Sequence, residues 1–323
     1  CATAAFKHMI NTITKDTSAP DAPTIGSFTA TGGTVVADTI NSTNTGFTLG
    51  FTSPASNYEG TAHLYLGGVD LATPVTIAVE AAETLYTLTG DSTAITNLGA
   101  DGTKSLTVVI VDVAGNVSTA SAAEELTLDE DAPVIDSVAL GGDEYINATD
   151  VTGVNIVIGT TGVEDNQTVS CVVSDGTTSL DAVTGTISSS TVTIASGSLS
   201  TLAEGLLTVT CDVSDAAGNP ATAGTDTATK DTVAPVLPVD GIVGTTIPEA
   251  GDQIILTFSE AVSPVDGTWS DDEFDIESPD GSTIDITGAT FSPASAATTI
   301  LTITLNEDST EDDTYLRNGN TIS

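Results

Sequence analysis

Leu207-Thr208-Val209-Thr210-Cys211-Asp212-Val213 leads, after Ser214, into Asp215-Ala216-Ala217-Gly218-Asn219, and this stretch decides the fold. In its first half every second side chain is apolar, as a strand with one buried face requires. In its second half the Asp carboxylate caps a turn while Gly and Asn tolerate positive φ, so the segment reads as a hairpin loop. The same pair of signals occurs upstream, where Leu106-Thr107-Val108-Val109-Ile110-Val111 precedes Asp112-Val113-Ala114-Gly115-Asn116. Further short runs lie at residues 46–52, 63–66, 84–88, 154–158, 168–173, 191–195, 254–258 and 299–305. Turn residues separate them about every 8–12 positions, the spacing of β-sandwiches. No long stretch carries a helical apolar period. The chain therefore reads as all-β, with several sandwiches in tandem.

A second repeat places the boundaries. Thr12-Ile13-Thr14-Lys15-Asp16-Thr17-Ser18-Ala19-Pro20 matches Thr227-Ala228-Thr229-Lys230-Asp231-Thr232-Val233-Ala234-Pro235, with a looser copy in Leu126-Thr127-Leu128-Asp129-Glu130-Asp131-Ala132-Pro133. Each reads as a strand, a kink at Asp and Pro, and a new strand, because Pro cannot donate within a ladder. The copies lie roughly 100–115 residues apart, one sandwich each. The expected division is an N-terminal segment at 1–19 and domains at 20–130, 131–232 and 233–323.

The D-x-A-G-N hairpins and D-x-x-A-P junctions resemble those of bacterial and archaeal extracellular immunoglobulin-like repeat families, over most of residues 11–235. That resemblance implies tandem immunoglobulin-like sandwiches at a cell surface. Residues 252–262, Asp252-Gln253-Ile254-Ile255-Leu256-Thr257-Phe258-Ser259-Glu260-Ala261-Val262, resemble the signature strand of the immunoglobulin-like domain of S-layer and other surface proteins. Thr314-Tyr315-Leu316 resembles that domain's penultimate strand, after which a hairpin and a last strand would be expected.

The composition narrows the partners. The 323 residues carry 45 acidic and 5 basic side chains, a formal net charge of −40, so neither nucleic acid nor an anionic membrane is an expected partner. Hydrophobic residues make up 39%, enough to bury cores, and no apolar run approaches the ~20 residues that span a bilayer. With two His and three Cys, the usual pairings of nucleophile and base are scarce, and no enzyme is expected. The carboxylates instead draw a cation atmosphere.

Candidate site residues follow from these patterns. Cys171 and Cys211 lie on strands read as the third and sixth of the second domain, both facing inward, and form either a disulfide or two buried thiols. Asp129, Glu130 and Asp131, with Asp143 and Glu144 downstream, offer hard oxygen ligands that would hold calcium and stiffen the junction. That arrangement resembles the calcium-rigidified junctions of cadherin-like repeats. Cys1 followed by Ala resembles the processed N-terminus of a bacterial lipoprotein, which implies a lipid anchor; a cross-link between subunits is the alternative. Asn41, Asn116, Asn147 and Asn166 begin N-x-[ST] sequons.

The ends are out of step with the domains. Residues 12–16 match a strand that closes a sandwich, whereas the third domain is expected to lack its own last strand. One reading is strand donation: residues of about 2–16, including Phe6, Ile10, Thr12, Ile13 and Thr14, complete the third domain of another copy and build a head-to-tail homopolymer. The other is a stalk segment of a large cell-surface adhesin, cut from a longer array.

Overall fold

The computed structural model describes residues 15–71, 75–237, 242–243, 253–264, 267–270, 274, 286 and 288–305. The chain divides into two compact units, Cys1–Asp231 and Thr232–Ser323. The first unit holds two immunoglobulin-like sandwiches in succession.

In the first sandwich, β1 (Thr24–Thr31), β3 (Gly46–Thr52) and β7 (Leu85–Asp91) form one sheet in the order β1-β3-β7. The facing sheet runs β2 (Thr39–Ile40), β9 (Glu124–Leu128), β8 (Gly102–Val111), β4 (Gly60–Leu66) and β5 (Val69–Asp70), with β6 (Thr76–Val79) also on β4. Period-2 burial makes the two faces. On β3 Phe47, Leu49 and Phe51 are fully buried while Thr48, Gly50 and Thr52 are half-exposed. Gly90 on β7 is demanded by close approach: a Cβ there would lie 2.4 Å from the Phe47 ring. A short helix, α1 (Ser92–Thr96), follows β7, its first amides at Thr93 and Ala94 capped by the Asp91 carboxylate.

The second sandwich repeats this plan. Its sheets are β10 (Val134–Leu140), β12 (Asn155–Thr161) and β15 (Thr191–Ala195) against β11 (Tyr145–Ile146), β17 (Gly224–Lys230), β16 (Gly205–Asp212), β13 (Thr168–Ser174) and β14 (Val183–Thr186). The correspondence extends to detail: β2 pairs parallel with β9, as β11 does with β17. The amides of Asp129 and Asp231, just past the closing strands, donate to the Ile40 and Ile146 carbonyls. Each sandwich has its own core, around Phe47, Leu64 and Ile110 in the first and around Ile156, Val169 and Leu207 in the second.

The described part of the second unit is a sheet in the order β18 (Ile242–Val243), β19 (Gln253–Val262), β21 (Thr298–Thr304), β20 (Thr290–Ser292). Ile254, Leu256, Leu301 and Ile303 form its core, with Trp269 packed beside it. Residues 1–14 and 306–323 lie outside the described residues. The donor-strand positions Phe6, Ile10, Thr12, Ile13 and Thr14, the anchor candidate Cys1 and the end of the third domain fall there. Among the described residues no helix is long and apolar enough to cross a membrane.

Candidate functional site: the lock between the first two sandwiches

The D-x-x-G-N hairpin of the second sandwich does more than turn the chain. Asp215 accepts from the Asn219 backbone through Oδ1 at 2.8 Å and from Asn219 Nδ2 through Oδ2 at 2.9 Å. This closes a rigid loop that aims the Asn219 amide at the first sandwich. There Asn219 Oδ1 accepts from the Ser42 amide at 2.7 Å, and Nδ2 donates to the Asp129 carbonyl at 3.0 Å. From the other side, Asn41 Nδ2 donates to the Ala217 carbonyl at 2.8 Å and to Thr34 O at 2.9 Å. Asn41 Oδ1 takes the Thr43 amide at 3.0 Å and the Thr43 hydroxyl at 2.6 Å. Both asparagines are 0% exposed. A buried carboxamide left partly unpaired would cost about 1–3 kcal/mol for each orphaned group, so their full satisfaction specifies one docking geometry.

The packing is as close as the hydrogen bonding. Gly218 has φ +95°, and a Cβ there would lie 2.9 Å from Asn41 Nδ2, 3.0 Å from Thr34 Cγ2 and 3.2 Å from Val36 Cγ2. A glycine is thus required both by its left-handed backbone and by the neighbouring sandwich.

The junction acids sit around this lock. Burial raises the Asp129 carboxyl above the ordinary aspartate range, the charges of Asp215, Asp101 and Asp131 push the same way, and the Asp131 amide opposes them. A group whose folded value is raised contributes stability below its unfolded value, about 3.9, and loses it as pH rises through the folded one. Ionised Asp129 therefore costs stability at neutral pH. Asp129→Asn keeps an acceptor for the Asp131 amide, and we expect it to raise the melting temperature at pH 7, most at low ionic strength, with the gain gone near pH 3. A lowered melt at pH 7 would refute this balance.

The disulfide stands apart from the lock. The Cys171 and Cys211 sulfurs are bonded at 2.08 Å, with Cα atoms 4.1 Å apart. The residues face one another across the adjacent antiparallel strands β13 and β16 of one sheet. Both side chains are 0% exposed. The bond spans neighbouring strands rather than joining the two sheets as in antibody domains.

Other expected sites need correction. Asp143 and Glu144 do not join Asp129, Glu130 and Asp131. The seven residues of β10 run between the two groups and hold them at opposite ends of the second sandwich, roughly 20 Å apart along the strand. Among the described residues no group of three or more His, Cys, Asp or Glu side chains is placed to hold a metal ion. Asn41, expected as a glycan acceptor, is buried in the lock, where its amide has no room for a sugar. The Asn116 amide is engaged by Asp112 Oδ2 at 2.7 Å. Asn147 and Asn166 are exposed. The sequence marks the interface role of Asn41 and Asn219 only through the recurrence of Ile-Asn-x-Thr, at Ile40-Asn41-Ser42-Thr43 and Ile146-Asn147-Ala148-Thr149, in step with the hairpins.

No protein-family model matches the chain, and no curated protein matches it. Among solved structures, a Ca2+-stabilized adhesin of an Antarctic bacterium that binds ice is similar over 92% of this chain and 69% of its own, at 18% identity and a TM-score of 0.44. A 1.5-MDa bacterial ice-binding adhesin is similar over 91% and 90%, at 16% identity and 0.38. The I67–I69 fragment of the titin I-band is similar over 91% of both chains, at 14% identity and 0.38. At these values the likenesses carry no argument about ligand or activity.

Proposed function

We propose that this chain is a stiff extracellular spacer, a stalk segment of a large cell-surface adhesin whose binding function lies in other domains. The observation that supports it is the lock: two sandwiches that could have been strung on a free linker instead share two fully satisfied buried asparagines. A junction built this way transmits position and load, whereas a flexible one would cost entropy each time the tip of the molecule had to be held away from the surface. A buried disulfide suits an oxidising exterior. The net charge of −40 keeps neighbouring stalks apart and is screened in saline surroundings.

Rotational diffusion tests this reading. Amide relaxation should return one correlation time and one diffusion tensor for residues 24–128 and 134–230, and independent tumbling of the two sandwiches would overturn it. The polymer reading makes a separate demand. A spacer should sediment as a monomer with or without residues 1–14, whereas strand donation requires multimers that vanish when those residues are deleted.

A further inference from the structure

The outer end of the first sandwich carries the same hairpin as the lock, with no neighbouring sandwich on it among the described residues. Asp112 Oδ1 accepts from the Asn116 backbone at 2.8 Å, and Asn116 Nδ2 donates to Asp112 Oδ2 at 2.7 Å, as Asn219 does with Asp215. The amides of Asp112 and Asp215 each donate to the carbonyl of their loop Asn at 3.1 Å. Asn116 Nδ2 lies 3.5 Å from the carbonyl of Asp16, the residue equivalent to Asp129.

What differs is the covering. In the lock Ala217, Gly218 and Asn219 are buried, whereas Ala114 and Gly115 are exposed and Asn116 is half-exposed. Gly115 keeps the left-handed φ, +90°, but a Cβ there would meet nothing within 4 Å. Val113 is 100% exposed. The loop therefore keeps its conformation although no described residue packs on Gly115 as Asn41, Thr34 and Val36 pack on Gly218. The carboxylate of Asp112 is held below its ordinary range by the Asn116 side chain first and by the amides of Asn116, Ala114 and Gly115 after it, with burial opposing, so the loop is set before anything docks.

We propose that this end is a docking surface for another immunoglobulin-like sandwich of the second sandwich's type, one that presents an Asn-x-Thr turn and is closed by a strand ending Thr-Lys-Asp. Two features identify that occupant. The turn exists in this chain at Asn147, exposed at the far end of the second sandwich, with Oδ1 already accepting from the Thr149 amide and hydroxyl at 2.7 Å each, as Asn41 accepts from Thr43. It leaves the Nδ2 face presented as Asn41 presents its own. The strand end is Lys15-Asp16: Lys230, its counterpart, is 5% exposed and donates to the Leu202 carbonyl at 2.7 Å and to Glu204 at 3.0 Å within its own sandwich. Lys15 is exposed against the first sandwich. It belongs with a loop of the occupant.

The inference rests on the spacer reading, and one experiment separates their failures. Residues 133–230 are placed directly before Asp16, so that Lys230 takes the place of Lys15, in a chain carrying Ala114→Cys. Ala114 corresponds to the buried Ala217. Maleimide labelling of the folded protein should slow by about tenfold or more relative to the unextended chain carrying Cys1→Ser and Ala114→Cys, as expected for a site reached only by local opening. Asn147→Ala in the added copy alone should restore the rate. Residues 20–128 in the same position, which bring Asn41, are the second variant and should protect the cysteine too. Unprotected cysteine beside an added copy with protected sheet amides would overturn the proposal. So would protection that rises with concentration in the unextended chain, because the occupant would then be a second molecule docking in trans. If instead the Ser42 amide at the existing junction exchanged freely in all of these chains, the spacer reading itself would fall.

Discussion

Asn219→Ala is expected to uncouple the two sandwiches of the first unit without unfolding either core. The substitution removes the acceptor of the Ser42 amide and the donor to the Asp129 carbonyl, and it frees Asp215 from its side-chain partner. Three groups in a partly buried interface lose a partner at once, and the total loss is about 2–4 kcal/mol. None of the three bonds to a core strand, so the loss falls on the junction. Amide relaxation should then return two correlation times, and the Ser42 amide should exchange with solvent. Asn41→Ala is expected to do the same from the other side, by orphaning the Ala217 carbonyl, while the Thr34 carbonyl keeps Asn44 Nδ2 as a donor at 3.0 Å. Because both act on one interface, the double variant should lose less than the sum, with a coupling on the order of 1 kcal/mol. A variant that melts within about a degree of the parent, with Ser42 still protected, would show that the lock contributes nothing.

Removing the disulfide should cost more, and should cost it in one sandwich. Cys171 and Cys211 are 40 positions apart, and closing a loop of that size in the unfolded chain stabilises the native state by roughly 4 kcal/mol. Replacing both by Ala also removes buried volume between Val169, Val173 and Val209, which adds to the loss. The denaturant midpoint of the second sandwich should fall sharply while the first, whose core includes no cysteine, keeps its own. Reduction of the parent should reproduce the shift. With three cysteines in the chain, a thiol titration under denaturing, non-reducing conditions should find one. Finding three would remove the bridge, and equal losses in both sandwiches would show that they unfold as one cooperative unit.

The strands were legible because their cause is local. Alternation in residues 106–111 and 207–213 sorts side chains between core and solvent whatever the rest of the chain does, and those residues lie on β8, β16 and the turn after it. The hairpins were legible for the same reason, since Asp, Gly and Asn act within five residues. The acids of the junction show where local reading stops. Asp129 and Asp143 look like neighbours in the sequence, yet a strand is an extended object, and β10 carries the chain from one end of its sandwich to the other.

The lock lay beyond local reading altogether. Asn41 and Ala217 are separated by 176 positions, and Ser42 and Asn219 by 177. In the sequence Asn41 carries the same three-residue signal as Asn147, and only one of them is buried. What the sequence by itself determined was the repeated sandwich, because burial periodicity and turn chemistry are written into neighbouring residues. What only the tertiary structure decided was which turn meets which hairpin, because a carboxamide becomes an interface when another part of the chain excludes water from it.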